Sequence, residues 1–105
     1  MSIASILVTN VAAGTPVRVS ATDLYVHAVT FNQINGQTGR IVVGNSAMNK
    51  TTLSGVFKEL PIPTTNAIPA FPVSQVASQN AINLSQFYVD ADVTGEKCLV
   101  TYMIA

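Results

Sequence analysis

The stretch FYVDADVTGEKCLVTYM, residues 87–103, decides the fold class of this chain. Apolar and polar residues alternate on both sides of Thr94-Gly95, which is the period of strands that bury one face. A two-residue turn there would place Asp92 opposite Lys97, so the pattern predicts a β-hairpin with its carboxylates on the outer side. The buried face would hold Phe87, Val89, Ala91, Val93, Cys98, Val100 and Tyr102, and the outer face Tyr88, Asp90, Asp92, Lys97 and Thr101.

The same stretch partly matches a calcium-binding loop. Asp90, Asp92, Thr94 and Gly95 stand at positions one, three, five and six of that loop. Position twelve is Thr101 instead of the bidentate glutamate, and the flanks alternate as strands rather than as helices. Nothing in the pattern indicates a cleft in which Asp90 and Asp92 would act as an acid and base pair. We therefore predict a hairpin here, with no metal site and no catalytic residues.

The rest of the chain repeats the β pattern. Alternating and β-branched runs are bounded by Gly, Asn, Asp and Pro, and no segment sustains helical spacing. The dipeptide Asn35-Gly36 tolerates positive φ at both turn positions and would close a second hairpin between residues 24–33 and 39–44, with a longer loop as the alternative because Gly39 blurs the register. Predicted strands cover residues 3–9, 16–20, 24–33, 39–44, 53–60, 67–76, 84–91 and 97–104. This spacing predicts one all-β domain over residues 1–105, an antiparallel β-sandwich with a jelly-roll-like order.

Residues 60–72, LPIPTTNAIPAFP, form a proline-rich segment that holds four of the five prolines. Proline has no amide hydrogen, so the segment can donate little to a β-ladder and is predicted to be an extended arm or long loop. Ile62, Ile68 and Phe71 make it too apolar for a solvated linker. We expect it to lie along this domain or a neighbouring subunit.

Charge is scarce on this chain. Charged residues make up 10% of it and hydrophobic residues 49%, and five Lys and Arg balance five Asp and Glu. An average soluble domain has about 25% charged residues, so this surface suits a protein whose faces are covered by partners. Without a basic stripe we expect no nucleic acid partner. The start of the chain lacks the pattern of a secretory signal, and no apolar run reaches the roughly 18 residues of a membrane span.

Other motifs that could carry chemistry are incomplete. Residues 39–46, GRIVVGNS, approach the phosphate-binding loop, but Asn45 replaces its lysine. His27 is the only histidine and lies in a strand pattern without a nucleophile elbow. One histidine and one cysteine cannot build a zinc site, and Cys98 stands where a small core residue is expected. We predict no enzymatic activity, no cofactor and no metal.

Three segments resemble small virion proteins of tailed bacteriophages, notably head decoration or cement proteins. They are VTNVAAGTPVRVSA at residues 8–21, TGRIVVGNS at 38–46, and AINLSQFYVDADVTGEKCLVTYMI at 81–104. The resemblance implies a compact β-sandwich or jelly roll without catalysis, made in the host cytoplasm and carried in the virion. It also implies binding to the outside of an icosahedral shell as a homodimer or homotrimer.

The resulting hypothesis is a non-enzymatic structural virion protein that stabilises a phage capsid surface through oligomeric, multivalent contacts. Its partner would be the major capsid protein or another virion protein, with contacts expected in the arm, the N-terminal strand and residues 87–104. The contact residues predicted by name are Ile62, Ile68, Phe71, Ile3 and Ile6. The alternatives are a carbohydrate- or receptor-binding β-sandwich module of a phage tail or fibre, another tail or connector component, and a hydrolase that uses His27.

Overall fold

The described part of the chain is built from β-strands. The structure is a computed structural model and describes residues 2–62, 75–76 and 82–104, with only the backbone described at 75–76. The strands are β1 Ser2–Thr9, β2 Val17–Arg18, β3 Tyr25–Val26, β4 Ala28–Gln33, β5 Ile41–Gly44, β6 Val56–Leu60, β7 Gln75–Val76, β8 Ile82–Asn83, β9 Tyr88–Ala91 and β10 Lys97–Ile104, and a 3₁₀ helix spans Leu84–Gln86. The all-β prediction is confirmed.

Two four-stranded sheets pack around one core. The first sheet has the order β1-β10-β4-β7, the second has the order β2-β9-β5-β6, and β3 pairs with β8 in a small third sheet. Every strand pair is antiparallel. Phe31 and Val100 of the first sheet meet Ile41, Val43 and Val89 of the second in a single cluster of buried side chains. The two sheets therefore form a sandwich, and the jelly-roll order stays a prediction.

Strand β10 is the centre of the first sheet. It pairs with β1 over eight residues, from Ser2 opposite Ile104 to Thr9 opposite Lys97, without a break in register. On its other side it pairs with β4. Cys98 and Val100 of β10 are fully buried, as the alternation of the sequence predicts. The same alternation places Leu99, Thr101 and Met103 on the outer face of the sheet.

Both hairpins predicted from the sequence are wrong, although a turn exists at each position. Strands β9 and β10 belong to different sheets, and so do β4 and β5. Gly36 and Gly95 adopt φ of 89° and 87°, the left-handed conformation for which glycine is suited. Each turn carries the chain from one sheet to the other, so Lys97 lies opposite Thr9 and not Asp92. Alternation decides which face is buried, but it does not choose the neighbouring strand.

Two residues of the predicted hairpin differ in burial from the prediction. The alternation predicts Asp90 on the outer face, but it is buried, and predicts Val93 in the core, but it is exposed. Val93 follows the end of β9 at Ala91 and lies in the turn, where strand alternation no longer applies. Asp90 does point to the outer side of its sheet, but a distant loop covers it there.

Two predicted strands are confirmed almost end to end, residues 3–9 as β1 and 97–104 as β10. Residues 24–33 are interrupted at His27, which separates β3 from β4 and places them in different sheets. The other predictions are confirmed only in part: 16–20, 39–44 and 53–60 shorten to β2, β5 and β6, and 67–76 is described only at β7.

The predicted strand at residues 84–91 begins as a 3₁₀ helix. Asn83 caps this helix, because its side-chain oxygen accepts a hydrogen bond from the backbone N–H of Ser85 at 3.0 Å. The strand itself starts only at Tyr88. A side chain that bonds its own backbone competes with the β-ladder, which accounts for the shorter strand.

Candidate protein-interaction surface

The centre of the outer face of the second sheet is covered by the protein itself. Ile41 and Val43 of β5 point into the core, so Val42 between them points outward. Val42 and its cross-strand neighbour Asp90 are nevertheless only 1% and 3% exposed. Two loops, residues 45–55 and 10–15, provide this cover.

The loop at residues 45–55 folds back over β5. Lys50 Nζ donates to the carbonyl of Ala91 at 2.7 Å, and the guanidinium of Arg40 donates to the carbonyl of Lys50 at 3.0 Å. Met48 is buried against Gly44, where a Cβ would lie 2.8 Å from the Met48 sulfur. The loop is therefore fixed to the sheet by both polar and apolar contacts.

An ionic network also joins this loop to the sheet. Asp92 accepts from Arg40 Nε at 3.2 Å and lies 3.4 Å from Lys50 Nζ, and Glu59 pairs with Arg40. The hydrogen bonds from Arg40 to Asp92 and then to Glu59 raise the pKa of Arg40. Partial burial raises the pKa of Asp92, but the bonds from Arg40 and Lys50 outweigh it and bring that pKa below its usual value. These charged side chains pair with one another and connect the loop to the sheet.

The loop at residues 10–15 covers the other end of the second sheet. The carboxylate of Asp90 accepts from the backbone N–H of Gly14 at 2.9 Å and from that of Ala91 at 2.8 Å. Ala13 N donates to Thr94 Oγ1, and the Asn10 side chain donates to the carbonyl of Thr15, both at 3.0 Å. This explains why Asp90 is buried, and it leaves Asp90 as a structural acceptor rather than a solvent-facing acid.

The outer face of the first sheet is different, because part of it remains open and uncharged. Cross-strand rows place Ile3 beside Met103, Ser5 beside Thr101, and Leu7 beside Leu99. We call these six residues the open face; Ile3 is 66% and Leu7 51% exposed. Of the corresponding outward residues of β4, Ala28 and Thr30 are buried and the polar Asn32 is half-buried, so the exposed apolar part of the face lies on β1 and β10.

The open face ends at an unprotected strand edge. Strand β1 is the terminal strand of its sheet, and no other strand in the described ranges pairs with its outer side. Its sequence, SIASILVT, contains no proline and no charged residue, and its register against β10 has no bulge. Native edge strands usually carry one of these features to prevent further pairing. Strand β1 is therefore the strongest candidate site for a partner.

The predicted contact residues fall in three environments. Ile3 lies on the open face and is exposed, whereas Ile6 packs against the core from the opposite face of β1. Ile62 is exposed just beyond β6. Ile68 and Phe71, with most of the proline-rich segment, lie outside the described residues. Sequence reasoning missed Leu7, because the run ILV is apolar throughout and does not show which of its residues are exposed. Leu7 lies four residues after Ile3, so strand alternation places both on the same face, and this spacing is the signal that finds it.

His27 is not joined to an acid in the described part of the structure. Its backbone N–H donates to the carbonyl of Met103 at 2.7 Å, while its side-chain Nδ1 is buried without a hydrogen-bond partner. Asp23 instead accepts from Asn83 and Ser85, whose hydrogen bonds lower its pKa in that order of effect. The geometry therefore offers no support for the hydrolase alternative.

Cys98 is fully buried in the core, and this burial raises the pKa of its thiol to about 12. A thiol with that pKa is a weak nucleophile at neutral pH. The described residues contain no group of three or more His, Cys, Asp and Glu that could hold a metal ion. Cys98 thus has the environment of a small core residue.

Within the described ranges, no helix has the length and apolar character needed to cross a membrane. Comparison with protein-family models, with curated proteins and with solved structures found no match to this chain. The functional argument therefore depends on the contacts and surfaces of the chain itself.

Proposed function

We propose that this chain is a non-enzymatic structural protein of a tailed-phage virion that binds and stabilises a capsid surface. The observation that carries the proposal is the difference between the two sheets. Two loops cover the centre of the outer face of the second sheet, whereas the first sheet leaves the uncharged open face exposed. Its edge strand β1 carries no charge and pairs with no other strand of the described ranges on its outer side, while β6, at an edge of the second sheet, carries Lys58 and Glu59. A surface of this kind gains free energy when a protein partner covers it.

The lack of charge on the open face favours protein contact. Burying a charged group in an interface costs several kcal/mol unless it is well paired. Ile3, Leu7 and Leu99 carry no such cost, and Ser5 and Thr101 can exchange hydrogen bonds with a partner. A neutral partner surface can therefore exclude water from the open face without forming specific ion pairs.

The magnitude of this burial favours a multivalent role. Covering about 300 Å² of apolar surface contributes roughly 7 kcal/mol at 25 cal/mol per Å². The loss of translational and rotational freedom on association costs a comparable amount, about 4–15 kcal/mol. One subunit alone would bind a shell weakly, but linked subunits on a symmetric lattice would bind far more tightly.

The experiment tests whether the chain is a component of phage particles. Particles encoded by the same genome are purified on a density gradient, the chain is detected by mass spectrometry, and electron microscopy locates it. The proposal expects the chain on the head, and expects Leu7→Lys to reduce its occupancy at least tenfold. Val11→Lys, which alters an exposed apolar residue outside the open face, is the matched control. Absence of the chain from the particles, or equal occupancy of both variants, contradicts the proposal.

A further inference from the structure

We infer that β1 pairs with β1 of a second copy of this chain, antiparallel across a twofold axis, to form a continuous eight-stranded sheet. The inference rests on the proposed function for its biological purpose, because it supplies the linked subunits that multivalent binding needs. The contact itself follows from the edge strand and can be tested without a capsid.

The backbone of β1 supplies the first part of the argument. In an antiparallel sheet alternate residues direct their N–H and C=O groups to opposite sides of the strand. An eight-residue edge strand therefore leaves roughly four N–H and four C=O groups without a neighbouring strand. A second β1 presents the same number at the same spacing. Pairing satisfies these groups without any change to the ladder between β1 and β10.

The faces of the sandwich restrict the register of such a pair. A twofold axis perpendicular to the sheet keeps the outer face of one copy continuous with the outer face of the other. Directly opposed residues must then lie on the same face of the sheet. Odd-numbered residues of one β1 must therefore oppose odd-numbered residues of the other, and even-numbered residues must oppose even-numbered ones. The register centred on Ser5 places Ile3 of each copy opposite Leu7 of the other. These are the two large exposed apolar side chains of β1, and this register buries them against each other.

The charge distribution is compatible with this dimer. Neither β1 nor the rest of the open face carries a charged side chain, and the one cationic residue of β10 is Lys97, opposite Thr9 at one end of β1. Antiparallel pairing places the two copies of Lys97 at opposite ends of the joint. Eight strand residues separate them by about 26 Å. That distance exceeds the screening length of about 8 Å at physiological salt, so they do not repel appreciably.

The self-complementary register selects a second copy over other occupants. A strand from the capsid protein and residues 63–74 or 77–81 of the same chain are the competing occupants. Either could supply backbone groups to the edge. A second β1 brings the matching order of Ile3, Ser5 and Leu7, together with an uncharged face of its own.

The association test measures the oligomeric state of the full chain by sedimentation equilibrium. An edge-strand dimer belongs to the small class of interfaces, so we expect a dissociation constant on the order of 10–100 µM. Leu7→Lys should weaken association at least tenfold, since a charged edge opposes pairing. Val11→Lys, at a residue 71% exposed outside β1, should change it less than twofold. Circular dichroism and thermal melting verify that both variants are folded.

The register test uses Ser5→Cys. Opposed Cα atoms across an antiparallel pair are about 4.5–5.5 Å apart, within the range of about 4.4–6.8 Å that disulfides span. Oxidation should therefore link Ser5→Cys into a covalent dimer, and the buried Cys98 should not compete. Ser2→Cys is the control, because this register places Ser2 opposite Val8 and not opposite itself. A link in Ser2→Cys but not in Ser5→Cys overturns the register.

The outcomes separate this inference from the proposed function. A wild-type chain that stays monomeric at millimolar concentration, or a dimer that Leu7→Lys leaves intact, overturns the β1 pairing. A monomer that is found on phage heads would leave the proposed function standing with the capsid protein as occupant of the edge. A dimer that meets both tests but is absent from particles supports the pairing and contradicts the function.

Discussion

The substitution Gly44→Ala tests whether the loop at residues 45–55 is held on the second sheet. A Cβ at Gly44 would clash with the carbonyl oxygen of Gly55 and would lie 2.8 Å from the Met48 sulfur and 3.0 Å from the Cα of Val56. Two of these three atoms belong to the backbone and cannot move aside by a rotamer change. The alanine must therefore push the loop away from β5.

The structure sets the size of this effect. Overpacking of a close contact costs about 1–3 kcal/mol. The displacement also strains the hydrogen bond from Asn45 N to Gly55 O, now 2.9 Å long, which contributes about 1 kcal/mol. We expect Gly44→Ala to lower the free energy of unfolding by about 2–4 kcal/mol. At about 4–8 °C per kcal/mol for a small domain, Tm falls by roughly 10–30 °C.

Urea denaturation followed by tyrosine fluorescence measures this change, because the chain has three tyrosines and no tryptophan. Gly36→Ala is the matched control. Gly36 has a φ of 89° but no atom within 4 Å of its added Cβ, so alanine there costs only about 1–2 kcal/mol of backbone strain. If Gly44→Ala is no more destabilising than Gly36→Ala, the loop does not pack on the sheet as described.

Three further predictions concern the remaining polar groups. Asp92→Asn should lower stability by about 1 kcal/mol or less at pH 7, because the pKa of Asp92 is lowered by Arg40 and Lys50. That stabilisation is present above the unfolded pKa of about 3.9 and is lost as the pH falls through the lower pKa of Asp92 in the folded protein. The free energies of unfolding of the wild type and of Asp92→Asn should therefore converge in acid. A difference between them that persists at pH 2 contradicts this. Cys98 should react with a maleimide only after unfolding, since it is buried and its pKa is raised to about 12; rapid labelling of the native protein would contradict its core position. Millimolar calcium should not raise Tm, because the carboxylate of Asp90 already accepts two backbone N–H groups; a shift of several degrees would show that the loop binds calcium.

The sequence predicted the all-β class, the approximate positions of most strands and the buried residues of β10, because these depend on alternation within a few residues. Cys98 and Val100 are buried as the pattern requires, and β1 and β10 have nearly the predicted ends. The strand neighbours could not be obtained in the same way. The turns at Gly36 and Gly95 permit a hairpin, and only packing across the whole core decides that each one connects two sheets.

The burial of Asp90 shows where local reasoning about the site fails. Its carboxylate is covered because it binds Gly14, which is 76 positions away in the sequence. The alternation of β9 places Asp90 on the outer side correctly, but it contains no information on a loop that arrives from elsewhere. Leu7 was missed for a related reason: the run ILV is apolar throughout, so its own pattern does not show which residues point outward, whereas the parity with Ile3 and the pairing of β1 with β10 do.

Amide hydrogen exchange of β1 tests the central claim that the free edge and open face of the first sheet bind protein partners. The measurement compares the dilute monomer with the protein assembled on phage heads. We predict that exchange in β1 slows at least tenfold on assembly, while the loop at residues 45–55, already packed on its own sheet, is unchanged. Protection confined to that loop, with β1 exchanging as fast as in the monomer, would contradict the account.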